Sequence, residues 1–153
     1  MPAIHTATVE WHLDQGPFTD RRYGRAHDWR FDGGAVVRGS SSPHVVRAPY
    51  SDPAAVDPEE AYVAAIASCH MLWFLDLACR DGWVVRRYLD AAEGRMAARE
   101  DGREWVAEVV LHPQVTFGDR EPTREQLREL HHRAHVECFI ANSIRTEVRV
   151  AAG

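Results

Sequence analysis

The chain has 153 residues, 45% of them hydrophobic and 27% charged, with 18 Lys and Arg against 23 Asp and Glu for a net charge of −5. That length suits one domain with a real core. The mild acidity, with no clustered basic stripe, argues against nucleic acid as a partner, and no basic amphipathic helix points to a membrane surface. The N-terminus, MPAIHTATVEWHLD, has no charged-then-apolar leader pattern, so a cytoplasmic protein with reduced thiols is expected. Three cysteines, Cys69, Cys79 and Cys138, do not make a secreted disulfide framework; they point to redox or metal chemistry.

In chain order, residues 7–13 alternate Ala7, Val9, Trp11 and Leu13 with Thr8, Glu10 and His12, which predicts a half-buried first strand. A polar loop follows with Arg21, Arg22 and Arg25. Trp29 and Phe31 then alternate into Asp32-Gly33-Gly34, and AVVRGSSSP reads as the return strand of a hairpin. A proline-rich loop, 47–56, leads to the longest element.

That element is the stretch 57–82. Asp57 is a good N-cap, Pro58 fits the first helical position, and Glu59 and Glu60 put negative charge in the positive first turn. Arg80 lies near the other end and Gly82 can stop the helix, so about 24 residues, roughly 36 Å, are expected to be helical. From Ala61 to Cys79 only Ser68, His70 and Asp76 are polar, so the helix must be covered. Asp76 would cost about 2.5 to 3.5 kcal/mol in a bilayer, so protein is the expected cover, from a sheet or a second subunit.

After Gly82 the sequence predicts two or three strands, with a hairpin turn at Asp101-Gly102. A second helix starts near Pro122 and Thr123, where Thr123 and Gln126 have capping-box spacing, and Leu127, Leu130, Ala134 and Cys138 form its apolar stripe. Ile144, Val148 and Val150 close the chain as a last strand. The order β-β-β-α-β-β-α-β argues α+β with antiparallel sheets, in one domain spanning 1–153.

A free cysteine in an apolar helix is ordinarily a small core hydrophobe, and Cys79 is read that way. Cys69 and Cys138 differ in that each sits on an apolar stripe, and stripes facing one core can bring two thiols together for a two-step redox cycle. Cys79 is a poor partner for Cys69, since ten residues along a helix is about 15 Å. The competing reading is a non-enzymatic metal-binding or thiol redox-sensing module. His131, His135 and Cys138 have i, i+4, i+7 spacing, with His132 beside them and Cys69-His70 opposite, a donor set suited to zinc or copper.

DPEEAYVAAIASCHMLWFL resembles the central-helix motif of the OsmC/Ohr superfamily, the osmotically inducible protein C and organic hydroperoxide resistance proteins, and AHVECFIANS resembles its second-cysteine segment. Pro58, Glu59 and Cys69 match the first motif, and Ala134, His135 and Cys138 the second. The family's N-terminal arginine best matches Arg25 of YGRAH, ahead of Arg22 and Arg21. The resemblance implies antiparallel sheets around a long central helix plus a second helix, in an intertwined homodimer. It implies reduction of organic hydroperoxides, with Cys69 peroxidatic, Cys138 resolving through a Cys69–Cys138 disulfide, Arg25 favouring the thiolate and Glu59 holding the arginine. No cofactor or metal is implied. The partners are a small hydroperoxide and a thiol reductant, a dithiol such as a lipoyl-type one.

Two departures set the chain apart from the family pattern: Phe139 stands where close relatives often have Pro, and His70-Met71-Leu72-Trp73 makes a bulkier wall after Cys69. Met71, Trp73 and Phe139 are expected to line an apolar pocket. Glu59 and Cys69 are about 15 Å apart and some 80° out of phase on one helix. If both serve one site, an antiparallel second copy of the helix has to supply one of them.

Overall fold

Turns and caps fix where each element begins in the computed structural model, which describes residues 2–14 and 16–151. The backbone gathers into two compact units, Met1–Ala61 and Tyr62–Gly153. In the first, β1 (Thr8–Glu10), β2 (His27–Arg30) and β3 (Val36–Gly39) form an antiparallel sheet in that order. The β2–β3 hairpin closes where the sequence predicts, with Gly34 at φ +93 and the Phe31 N–H donating to the Ala35 carbonyl at 3.0 Å. A Cβ on Gly39 would lie 2.6 Å from Trp29 Nε1, so glycine is what lets the Trp29 and His27 rings cross the strand.

The first strand departs from expectation. It holds three residues rather than seven, and Val9, Trp11 and Leu13 are exposed instead of half-buried. Trp11 has left the strand to meet Phe18 and Tyr23, with ring centroids 5.9 and 5.6 Å away, and its Nε1 donates to the Gly24 carbonyl at 2.8 Å. The local aromatic cluster outcompetes the period-two pattern.

Helix α1 (Pro58–Arg80) starts as read. Asp57 Oδ1 accepts the Glu60 N–H at 2.8 Å and Glu60 Oε1 accepts the Asp57 N–H at 2.8 Å, a reciprocal cap. It ends at Gly82, φ +80, where the Trp83 N–H returns to the Ala78 carbonyl at 2.9 Å.

The second unit contains β4 (Val84–Asp90), β5 (Glu93–Ala98), β6 (Glu104–Leu111), β7 (Pro113–Gly118), α2 (Arg124–Glu137) and β8 (Glu147–Val150). Four strands therefore lie between the helices rather than two or three. The run 104–118 is broken at His112, whose N–H bonds Asp90 Oδ1 at 2.7 Å, and the chain passes there from one sheet to another. β4 pairs antiparallel with β7, and β5 pairs antiparallel with β6 through the turn at Gly102, φ +80. Against the antiparallel expectation β8 pairs parallel with β6, the one parallel ladder between named strands among the described residues, and Gly39 and Val56 add an isolated parallel bridge. β8 follows α2, and a helical crossover is what a parallel neighbour requires.

The core divides around α1. Phe74, Leu77 and Ala78 pack with Leu130 and Ala134 of α2, flanked by Val85, Tyr88 and Phe117 of the β4–β7 pair. Ile66 packs with Val109 and Leu111 of β6, flanked by Val148 and Val150 of β8. Gly94 of β5 admits the helix here, since a Cβ would sit 2.5 Å from Val63 Cγ2.

Burial on α1 is one-sided. Ile66, His70, Phe74, Leu77 and Ala78 are buried, whereas Ala64, Ala65, Ser68 and Leu72 are exposed in the single chain. By length and composition α1 could cross a membrane. Its buried stripe instead packs on protein, and its outer face carries an Asp76–Arg80 ion pair at 2.7 Å. Cys79 lies on that outer face and is exposed, not core as read from sequence. It falls one step, about 100°, beyond the last buried position.

A paired-thiol candidate site

Cys69 is half-buried because it precedes the buried-stripe residue His70, which turns its side chain about 100° off the core. Cys138 caps α2 with extended backbone, φ −61 and ψ 112, its N–H donating to the Ala134 carbonyl at 3.0 Å. It is 1% exposed and its Sγ accepts the Ala141 N–H at 3.4 Å. Burial pushes the Cys138 thiol above its ordinary range, and the neighbouring Cys69 thiol, within interaction reach, pushes the same way against the Ala141 and Ile140 amides. Both thiols are free. The structure thus brings Cys69 and Cys138 together and leaves Cys79 out.

Apolar surface adjoins the pair. The Trp73 and Phe139 rings meet edge-on with centroids 5.4 Å apart, Phe139 exposed, and Met71 is half-buried.

Behind Cys69 the core is polar. His70 and His131 are buried with His70 Nε2 and His131 Nδ1 3.0 Å apart, and their rings are 8° from parallel. His131 also stacks on Phe74, centroids 4.4 Å apart. Burial lowers His70 to about 3, helped by charge on His131 and His135; burial alone lowers His131 to about 4. Both rings are neutral at neutral pH. Sequence reasoning took His70 as part of a wall and His131 as one residue of a helix face, and missed the pairing. The available signal was the spacing Ile66-His70-Phe74-Leu77, which puts a histidine on the core stripe.

The metal arrangement requires converging donors. Among the described residues no group of three or more His, Cys, Asp or Glu gathers to hold an ion. His131 is engaged by His70, and the i, i+4, i+7 series does not gather into a centre.

The remaining site residues lie in the first unit. Arg25 Nη1 donates to the carbonyls of Arg21, at 2.7 Å, and Tyr23, and its guanidinium lies 3.7 Å from the Tyr23 ring centroid. Arg22 is paired with Asp20 at 2.8 Å, and Arg21 is exposed at φ +67. Glu59 is half-buried. Burial raises its carboxyl, and Asp57 and Glu60 add to the shift by hydrogen bonding and like charge.

Fold and site define an α+β protein with two neighbouring thiols, one on α1 and one at the end of α2. Residues 51–152 match the family model described as OsmC-like protein, and the chain belongs to that family. It is 49% identical to an OsmC-like protein of unknown function from Vibrio cholerae O1 biovar eltor str. N16961, with TM-score 0.95 over 98% of this chain and 99% of that one. An organic hydroperoxide resistance protein OsmC from Legionella pneumophila shares the fold at 18% identity, TM-score 0.70, over 98% and 99%. The organic hydroperoxide resistance protein OhrB of Bacillus subtilis does so at 18%, TM-score 0.67, over 97% and 96%. Among curated proteins nothing matches significantly.

Proposed function

We propose that this chain is a cytoplasmic, cysteine-based peroxidase that reduces organic hydroperoxides, working as a homodimer of one OsmC-like domain per subunit. The observation that carries the reading is the pairing of a half-buried Cys69 with a buried Cys138. The asymmetry suits a division of labour. Cys69 can be reached by a hydroperoxide, whereas Cys138, held protonated by burial, waits until a partner forms beside it.

In the first step the Cys69 thiolate attacks the terminal oxygen of ROOH and the O–O bond breaks. The alkoxide leaves and takes a proton as ROH, so the sulfur is oxidised by two electrons to a sulfenic acid while the hydroperoxide is reduced. In the second, Cys138 sulfur attacks the sulfenic sulfur, the S–S bond forms and the S–O bond breaks. The hydroxyl leaves as water with the Cys138 proton. A dithiol, for which a lipoyl-type one is proposed, returns both thiols by exchange. Arg25 is assigned to favouring the Cys69 thiolate and Glu59 to holding that arginine, the acid coming from the partner subunit. Two of the fold relatives above carry the name organic hydroperoxide resistance protein, which supports the substrate class.

The exposed Phe139 and half-buried Trp73 offer an apolar wall for R. Two buried methylenes add about 1.6 kcal/mol, so cumene hydroperoxide should outcompete hydrogen peroxide in kcat/KM by more than about tenfold. The test is peroxide consumption by wild type and Cys69→Ser. The variant should stay folded and consume none; retained activity would remove Cys69 from the chemistry.

A further inference from the structure

The His70–His131 pair has no part in the scheme above, yet it joins the two elements that carry the thiols. His70 adjoins Cys69 in α1. His131 lies seven residues before Cys138, so both fall on one stripe of α2, about 10.5 Å apart along its axis. Their 3.0 Å contact is the one side-chain hydrogen bond between α1 and α2 among the described residues. The other contacts near the thiols, Phe74 on His131 and Trp73 on Phe139, are ring packings.

These contacts respond differently to movement. Ring packing tolerates a slide, but a hydrogen bond near 3.0 Å is lost beyond about 3.5 Å, so the imidazole pair fixes the advance of α2 along α1 inside the core, beside the exposed Arg133–Asp81 pair, 2.7 Å, that ties α2 to the residue just past the end of α1. Disulfide formation is equally demanding, because the S–S bond is about 2.05 Å and the Cα separation must fall within about 4.4 to 6.8 Å.

The proton can be placed. His70 Nδ1 is buried without a partner. Were it the N–H nitrogen, a buried donor would be orphaned, so the hydrogen sits on Nε2 and points at His131 Nδ1.

We propose that this buried imidazole–imidazole hydrogen bond is a positioning latch that sets the Cys69-to-Cys138 separation, making His70 and His131 determinants of the disulfide-forming step. It rests on the two-thiol reading for its biological use, but its geometry can be tested without peroxide. Because the bond runs from Nε2 of His70 to Nδ1 of His131, the side chain that keeps the acceptor at position 131 is Asn, whose amide oxygen reaches where Nδ1 stood. His131→Phe keeps the stack on Phe74 and deletes the acceptor.

The experiment equilibrates the full-length protein with oxidised and reduced glutathione. The two thiols lose two electrons to form the disulfide while one oxidised glutathione becomes two reduced ones, and acid-quenched mass spectrometry reads the ratio. His131→Phe should lower the disulfide equilibrium constant by about tenfold to a hundredfold, the scale expected for misplacement by about 1 Å, and His131→Asn should stay within about twofold of wild type. His70→Phe/His131→Phe, which orphans no polar group, should be as poor as His131→Phe. Equal constants for wild type and His131→Phe, equal loss in Phe and Asn variants, or recovery in the double variant would each overturn the latch. A parallel measurement separates this from the peroxidase reading. The rate of Cys69 oxidation by cumene hydroperoxide should not differ between wild type and His131→Phe. If neither reacts while the glutathione constants still divide as stated, the latch stands and the peroxidase reading falls.

Discussion

Acid should weaken this fold through two residues in particular. His70 and His131 are buried and neutral, with folded values of about 3 and about 4 against an ordinary 6.5. Above pH 6.5 the rings are neutral in the folded and unfolded chain alike, and they cause no loss. As pH falls from 6.5 toward 4, the unfolded chain takes up protons that the folded one refuses, so stability drops. No acidic group is among the causes acting on either ring, and His135 adds to the penalty on His70.

At pH 5 both folded values still lie below the pH, so the loss relative to pH 7 is set by the unfolded chain, roughly 2 kcal/mol per imidazole and roughly 4 together. That is a large share of the 5 to 15 kcal/mol of a typical domain. The assay is urea unfolding at pH 7 and pH 5, at one protein concentration, for wild type and His70→Phe/His131→Phe. With a slope of about 2 kcal/mol/M, wild type should lose about 2 M more in midpoint than the double variant. Losses in the two proteins that agree within about 1 kcal/mol would refute the claim that the rings are buried neutral.

The remaining predictions concern the reaction. Cys138→Ser should react once with peroxide, leave a Cys69 sulfenic acid that dimedone labels, and then over-oxidise, as read by mass spectrometry; rapid turnover with a dithiol in that variant would remove Cys138 from the cycle. Cys69→Ser and Glu59→Ala homodimers should each be nearly inactive, whereas purified heterodimers of the two should regain one working site; no regained activity would mean that Glu59 serves its own subunit's site or none.

Local signals in the sequence were strong and survive in the structure. The Asp57-Pro58-Glu59-Glu60 start, the Gly82 stop, the Thr123–Gln126 capping box and the Gly34 and Gly102 turns are each specified by adjacent residues, and all are present. What failed was non-local. The division of 104–118 depends on Asp90 capturing the His112 amide, and the parallel β8 depends on where α2 returns the chain. Cys79 was misread because composition shows α1 apolar almost all round, while the single chain covers only one stripe of it. Cys138 lies buried at the end of the α2 stripe as the sequence suggests, whereas Cys69 stands about 100° off the buried α1 stripe, next to His70, which the all-round apolar composition of α1 could not show. The His70–His131 contact was not legible, since periodicity gives a face but not the partner across it.

The most direct test of the central claim is the state of the thiols after one equivalent of cumene hydroperoxide is added to the reduced protein. Peptide mass spectrometry after rapid alkylation should show a Cys69–Cys138 disulfide, with Cys79 alkylated and one alcohol formed per disulfide. Peroxide consumed with no Cys69–Cys138 linkage, or both thiols alkylated and the peroxide intact, would contradict the two-thiol account.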